Sequence, residues 1–176
     1  REINTMTVAL GHGIAVSPVQ LTSAMAALVN GGIRIDPTLL ARQPAKTPQG
    51  PRVLKTRTSS IMKRLMRLNV ASGTGTKAEA AGYLVGGKTG TAEKAGGGGY
   101  RRKALLSSFI GAFPMNDPRY VVLAVLDEPK GTKKTSGFAS GGWTAAPVFS
   151  RVVSRIGPLM GVSPVDAESK SVRNAM

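Results

Sequence analysis

The segment Gly82–Thr89 can carry two kinds of chemistry, because two sequence patterns overlap at Lys88. It reads Gly-Tyr-Leu-Val-Gly-Gly-Lys-Thr, which fits the phosphate-binding P-loop pattern G-x-x-x-x-G-K-[ST] at every position. A strand-like segment ending at Asp127 and Glu128 would supply the acidic residue that holds magnesium in P-loop ATPases. A nucleotide-binding protein that uses Gly82–Thr89 with Asp127 is therefore one interpretation.

The residues around this segment disfavour a P-loop. In a P-loop the glycine-rich turn leads directly into a helix, whose first N–H groups hold the phosphates. Here the chain continues with Gly90 and the β-branched Thr91, which are poor in a first helical turn, and soon reaches the glycines Gly96–Gly99. The strand that should precede the loop is also weak, since Thr76–Ala81 contains two charged residues. A strand over about Gly86–Glu93 fits these residues better.

The Lys88-Thr89-Gly90-Thr91 sequence also matches K-T-G, a signature motif of serine acyl-transferases beside S-x-x-K and S-x-N. Its surroundings, in their order along the chain, resemble the class B penicillin-binding proteins from about Glu2 to Ile156. The division-specific D,D-transpeptidase is the most similar type, and the elongation-specific type is a near neighbour. The segments that carry the resemblance are Gly11–Leu21, Ala26–Gly32, Gly86–Lys94, Ser108–Pro114 and Ala145–Phe149.

The chemistry of such an enzyme explains these residue types. An extended peptide can lie along an exposed strand edge, and Gly90 keeps the backbone approachable. The hydroxyls of Thr89 and Thr91 can donate to the terminal carboxylate of the substrate, and the Thr91 N–H can supply half of an oxyanion hole. Lys88 attracts the carboxylate and helps to keep neighbouring groups deprotonated. We therefore expect Lys88 and Thr91 to be catalytic, and Lys88, Thr89, Gly90 and Thr91 to bind substrate.

The resemblance implies an α+β fold, the C-terminal part of the β-lactamase/penicillin-binding transpeptidase fold, with an antiparallel sheet flanked by helices. Residues 1–161 would form this portion, and 162–176 a polar C-terminal tail. In the family, the S-x-x-K serine attacks the D-Ala-D-Ala bond of a peptidoglycan stem peptide and releases the last D-Ala. An amine of a neighbouring stem then completes the crosslink. β-Lactams acylate the same serine, and no metal or organic cofactor takes part.

The resemblance also implies partners and a location. The partners would be stem peptides, the lipid-linked precursor, β-lactam antibiotics, an upstream part of the same polypeptide and other division proteins, without nucleic acid. The protein would lie at the periplasmic face of the inner membrane, with its anchor outside this chain. A non-catalytic division-scaffold module remains a further alternative.

The nucleophile is expected upstream of this chain. In the family S-x-x-K and S-x-N both precede the segment at which the chain begins, and the sequence contains no S-x-N. One S-x-x-K does occur, Ser60–Lys63, but it lies too close to Lys88 for the family arrangement. We interpret Ser60 as a residue near a helix N-terminus and Lys63 as part of a solvated face. The chain alone is therefore predicted to be inactive.

Two helices are predicted before the motif. The first covers about Pro18–Asn30, because Ser17 is a good N-cap and Gln20 completes a capping box. The second covers about Ser59–Ala71. Its buried side is predicted to contain Ile61, Leu65 and Leu68. Three methionines are interpreted as core residues: Met25 in the first helix, and Met62 and Met66 in the second.

Two more strands and a helix are predicted after the motif. The strands, Leu105–Phe113 and Tyr120–Asp127, are joined by a short turn signal and should form an antiparallel hairpin. A final helix should start near Thr144. Its apolar face is expected to contain Val148, Val152, Ile156 and Leu159, with Phe149 and Val153 beside them. Trp143, just before this helix, could pack on the sheet or shape the cleft.

Composition excludes enzymes with a catalytic cysteine and disfavours zinc hydrolases, which usually need several histidine or carboxylate ligands. There is no cysteine, and the single histidine, His12, lies between two glycines where a structural role is expected. The net charge of +15 would attract anionic partners, but the few aromatic residues do not alternate with the basic runs as in single-strand binders. The basic run Arg101–Lys103, beside the flexible glycines Gly96–Gly99, is hypothesised to guide an anionic substrate.

Overall fold

The structure is a computed structural model that describes residues 2–9, 14–41, 50–96, 99–166, 169 and 172. Its helices and strands follow one another in the predicted order, preceded by one short helix that the sequence patterns did not indicate. They are α1 (Glu2–Ala9), α2 (Pro18–Val29), α3 (Thr56–Ser72), β1 (Gly86–Gly96), β2 (Gly99–Phe113), β3 (Tyr120–Asp127) and α4 (Ala145–Leu159). Single 3-10 turns lie at Thr76–Ala78 and Lys133–Thr135. The α+β arrangement is confirmed.

The three strands form one antiparallel sheet in the order β1-β2-β3. The predicted β2–β3 hairpin is confirmed, and it pairs Phe113 with Tyr120 next to the turn. Strands β1 and β2 run further than predicted, and Gly96 pairs with Gly99 at the end of their hairpin. Residues 97 and 98 of the expected flexible loop lie outside the described residues. Strand β1 is thus an edge strand of the described sheet.

The capping box at the start of α2 is confirmed. The Ser17 hydroxyl accepts the N–H of Gln20, and the Gln20 side chain accepts the N–H of Ser17. The helix then packs Met25 and Val29 into a cluster on one face of the sheet, where Met66 and Met62 of α3 join it as predicted. The other buried members of this cluster are Leu84, Ala112, Met115 and Val172.

A second cluster fills the opposite face of the sheet, beneath α4. The rings of Phe109 and Phe149 meet edge-to-face with centroids 4.8 Å apart, which is a favourable aromatic geometry. The final helix begins as predicted, and its buried line is centred on Phe149 and Val153. Leu159, expected on the apolar face, is 83% exposed because it lies in the last turn of the helix. The sheet therefore has a helical layer and a core on each face.

The predicted buried side of α3 is wrong. Ile61, Leu65 and Leu68 are exposed, and the buried positions of this helix are Ser59, Met66 and Val70. Both sides of the helix contain apolar residues at helical spacing, so periodicity alone did not show which side meets the sheet.

Polar contacts decide which side of α3 is buried. The Ser59 hydroxyl donates to the carbonyl of Leu28 at 2.6 Å and accepts the N–H of Gly31 at 3.0 Å, so this polar residue is satisfied in the interior. Arg67 of the same helix donates to the Val85 carbonyl at 2.8 Å and also pairs with Glu79. Helix α3 is thereby fixed against the start of β1.

Candidate active site

Lys88, Thr89, Gly90 and Thr91 all lie within strand β1. No helix follows Thr89, so the N-terminal N–H groups that a P-loop needs are not formed, and the nucleotide-binding alternative is wrong in this respect. Residues Thr89 and Thr91 are two positions apart on a strand and therefore share one face of the sheet. Lys88 and Thr91 are exposed, and Thr89 is half-buried.

The Lys88 ammonium lies over the next residue. Its Nζ donates to the Thr89 carbonyl at 2.9 Å and to the Thr89 hydroxyl at 3.3 Å. The Lys88 ammonium and the Thr89 hydroxyl, both of which can donate hydrogen bonds, therefore lie together at one point of the exposed strand. Such a point suits a carboxylate, because charge-assisted hydrogen bonds are about twice as strong as neutral ones.

The loop after α3 holds the Thr89 side chain from the other direction. Thr74 Oγ1 lies 2.9 Å from Thr89 Oγ1 and 3.1 Å from Asn69 Oδ1. The Asn69 amide also donates to the Gly87 carbonyl at 2.8 Å. The sequence reading missed Asn69 and Thr74, since nothing in their local pattern shows that they meet a strand formed further along the chain.

A second loop supports the Thr91 side chain. The Gly141 N–H donates to Thr91 Oγ1 at 3.0 Å, and the Ser107 hydroxyl donates to the Ala139 carbonyl at 2.5 Å. Among the hydrogen bonds of the described residues, Thr91 Oγ1 acts only as an acceptor. Its own proton is therefore available to a ligand. Neither Gly141 nor Ser107 was assigned to the site from the sequence.

Trp143, which the sequence left undecided, belongs to this second loop. Its ring stacks on that of Phe138 with centroids 5.3 Å apart, and the Lys77 ammonium lies 4.2 Å from the ring centre. Phe138 itself is exposed. The pair thus forms an aromatic surface on the loop that contacts β1.

The acidic pair at the end of β3 binds basic side chains instead of forming a magnesium site. Lys94 Nζ lies 2.7 Å from Asp127 and 3.2 Å from Glu128, and Arg101 lies 3.6 Å from Glu128. These ion pairs join the β1–β2 hairpin to β3. Within the described residues, no group of three or more His, Cys, Asp and Glu side chains is arranged to hold a metal.

Lys94 gives a prediction for the pH dependence of stability. Hydrogen bonds to Asp127, then to Glu128, raise the pKa of Lys94 above its ordinary value of 10.5. A lysine whose pKa is raised by folding stabilises the folded state while it is protonated. This stabilisation is complete below the ordinary pKa and is lost as the pH rises through the higher pKa of the folded state. We expect Lys94→Met to lower Tm at about pH 9 and the difference from wild type to narrow above 10.5. A difference that widened with pH would contradict this assignment.

The local S-x-x-K motif is helical, as predicted. Ser60 lies in α3, and its hydroxyl donates to the Thr56 carbonyl one turn earlier at 3.1 Å. His12 lies outside the described residues, as do the side chains of Arg102 and Lys103. No helix among the described residues is both long and apolar enough to cross a membrane.

The sheet lies between two helical layers, and two loops support its K-T-G-T edge strand, which is the arrangement that the sequence resemblance implied. Sequence comparison agrees, because the penicillin binding protein transpeptidase domain family matches residues 1–154. The chain therefore belongs to the penicillin-binding protein transpeptidase family.

Individual relatives support this membership. The chain is 45% identical over 161 residues to a probable peptidoglycan D,D-transpeptidase FtsI of Caulobacter vibrioides, covering 86% of this chain and 27% of the relative. It is 36% identical over 172 residues to stage V sporulation protein D of Bacillus subtilis, covering 92% of this chain and 26% of the relative. The chain thus spans about a quarter of the length of these relatives.

A solved structure has the same fold. The transpeptidase domain of Burkholderia pseudomallei penicillin-binding protein 3 superposes with a TM-score of 0.84 at 36% identity, covering 94% of this chain and 49% of that one. A Mycobacterium penicillin-binding protein 3, solved with ampicillin, has a TM-score of 0.76 at 24% identity and shares the fold. The predicted fold class is confirmed.

Proposed function

We propose that this chain carries the substrate-binding strand of a serine-type D,D-transpeptidase that crosslinks peptidoglycan stem peptides. The observation that supports the proposal best is the edge strand β1, where the Lys88 ammonium contacts the Thr89 hydroxyl and Thr91 lies on the same face of the sheet as Thr89. Residues 1–161 would form the C-terminal portion of the domain, followed by the tail 162–176. The nucleophilic serine would belong to another part of a longer polypeptide, called the full-length polypeptide below.

Each residue of the strand has a distinct part in this proposal. Lys88 attracts the terminal carboxylate of the stem peptide, and Thr89 and Thr91 donate hydrogen bonds to it. Gly90 leaves room for the peptide to lie along the strand edge. The Thr91 N–H supplies one donor to the oxyanion of the tetrahedral intermediate, while the serine attacks the D-Ala-D-Ala carbonyl and the last D-Ala leaves.

The proposal extends to the setting of the enzyme. A division role fits the likeness to the probable FtsI enzyme and to penicillin-binding protein 3. The partners would then be the lipid-linked precursor, other division proteins and β-lactams, at the periplasmic face of the inner membrane. Arg101, which lies on β2 and pairs with Glu128, would contribute to the attraction of anionic substrate.

Acylation by a labelled penicillin tests the proposed activity. The full-length polypeptide should gain the mass of one penicillin, and peptide mapping should place it on a serine outside residues 1–176. The isolated chain serves as the control and should gain no mass. A folded full-length polypeptide that stays unmodified, or an adduct on Ser60, would contradict the proposal.

A further inference from the structure

Asn69 is enclosed at the junction of α3 and β1. The backbone carbonyl of Asn69 accepts the N–H groups of Gly73 at 3.0 Å and Gly75 at 3.1 Å, so the chain turns tightly around this residue. A Cβ at Gly73 would lie 2.6 Å from Asn69 Oδ1, and one at Gly75 would lie 2.7 Å from Nδ2. The loop can therefore wrap around the amide only because both residues are glycine. This enclosure fixes the amide in place.

In each of the hydrogen bonds that link Asn69 to strand β1, chemistry allows only one assignment of donor and acceptor. The Gly87 carbonyl can only accept, so the Asn69 NH₂ group must point to it, and Oδ1 must face Thr74. Because Oδ1 also only accepts, Thr74 gives its single hydroxyl proton to Asn69. Thr74 can then only accept from Thr89, 2.9 Å away. The Thr89 oxygen in turn accepts from Lys88.

We propose that Asn69 and Thr74 are positioning residues that hold the Thr89 hydroxyl in the orientation the substrate carboxylate requires. The inference rests on the transpeptidase function proposed above. In the free enzyme the Thr89 hydroxyl donates its hydrogen bond to Thr74 Oγ1. When a carboxylate binds beside Lys88, the Thr89 proton turns to it, while the Thr89 oxygen keeps the place that Thr74 and Lys88 have set.

Two opposing effects of Thr74 on binding have to be compared. Thr74 competes with the carboxylate for the Thr89 proton, but a hydrogen bond to a charged acceptor is about twice as strong as one between neutral hydroxyls. The proton is therefore released to the carboxylate. Thr74 also orders the Thr89 side chain before binding, which removes part of the entropic cost of ordering it later. The second effect dominates, so loss of the Thr74 hydroxyl weakens carboxylate recognition.

The test is Thr74→Val in the full-length polypeptide, which replaces the hydroxyl with a methyl group of similar size. The second-order rate constant of acylation is measured with benzylpenicillin and with its methyl ester, which lacks the carboxylate charge. We expect a loss of about three- to tenfold with benzylpenicillin and no loss with the ester, corresponding to the ordering of one side chain. Thr74→Ser keeps the hydroxyl and should restore the rate with benzylpenicillin.

Thr76→Val is the matched control, because Thr76 lies on the same segment and its side chain has no hydrogen bond among those of the described residues. It should react like wild type with both compounds, and a cooperative thermal transition shows that each variant is folded. Equal rates for Thr74→Val and wild type, or an equal loss with both compounds, would overturn the inference. A wild type that is not acylated by either compound would overturn the proposed function itself, and this inference with it.

Discussion

Replacing Lys88 with methionine in the full-length polypeptide should lower the rate of acylation by benzylpenicillin by about 100-fold or more. Lys88 is exposed in the structure, and we expect the bound penicillin to cover it. Losing one partner of a buried hydrogen-bonded charge pair costs about 2–5 kcal/mol, and about 2.7 kcal/mol within this range already gives a 100-fold loss. Lys88 donates to Thr89 within the free enzyme, so both its charge and its hold on the hydroxyl disappear. Rates from stopped-flow or quenched-flow acylation measure the effect.

Lys134→Met is the matched control for this prediction. Lys134 is exposed in the 3-10 turn Lys133–Thr135, and it forms no ion pair within the described part of the chain. The control removes the same charge from the same strongly basic protein, so it reports any general effect of net charge. Similar losses of acylation rate in the two variants would mean that Lys88 acts only through the net positive charge of the protein. That result would contradict a direct contact between Lys88 and the carboxylate.

The variant Gly141→Ala should have the second large effect, through the backbone. A Cβ at Gly141 would overlap the carbonyl oxygens of both Gly90 and Ser108, and neither backbone group can rotate away. The loop must then move from β1, which breaks the hydrogen bond from the Gly141 N–H to Thr91. We expect a loss of about 1–3 kcal/mol in the free energy of unfolding and a fall of about tenfold or more in acylation rate.

Urea unfolding and acylation kinetics on the same samples check this prediction. Ser140→Ala lies next to the substituted residue and removes a hydroxyl without adding volume, so it should change either quantity little. If Gly141→Ala kept wild-type stability and rate, the loop would not be held against β1 in the way the structure shows.

Sequence patterns predicted the elements whose signals are local. The capping box of Ser17 and Gln20 marks the start of α2, and the apolar run that begins at Tyr120 and ends before Asp127 marks β3, whose bounds the structure confirms. The K-T-G-T strand was also correct, because Gly90 and Thr91 disfavour a helix after Lys88. In these cases the residues that determine the structure are close together in the chain.

The remaining features depend on contacts between distant segments. The burial of Ser59 instead of Leu65 follows from hydrogen bonds with Leu28 of α2 and with Gly31 in the turn after that helix. Asn69 and Gly141 likewise acquire their parts in the site only when α3 and the loop before α4 meet β1. Periodicity along one segment carries no information about such partners.

The crystal structure of the full-length polypeptide acylated by benzylpenicillin is the most direct test of the central claim. The account predicts that the carboxylate of the bound penicillin lies within hydrogen-bonding distance of the Lys88 ammonium and the hydroxyls of Thr89 and Thr91, with the acylated serine facing β1. A bound penicillin whose carboxylate contacts none of these three residues would contradict the account.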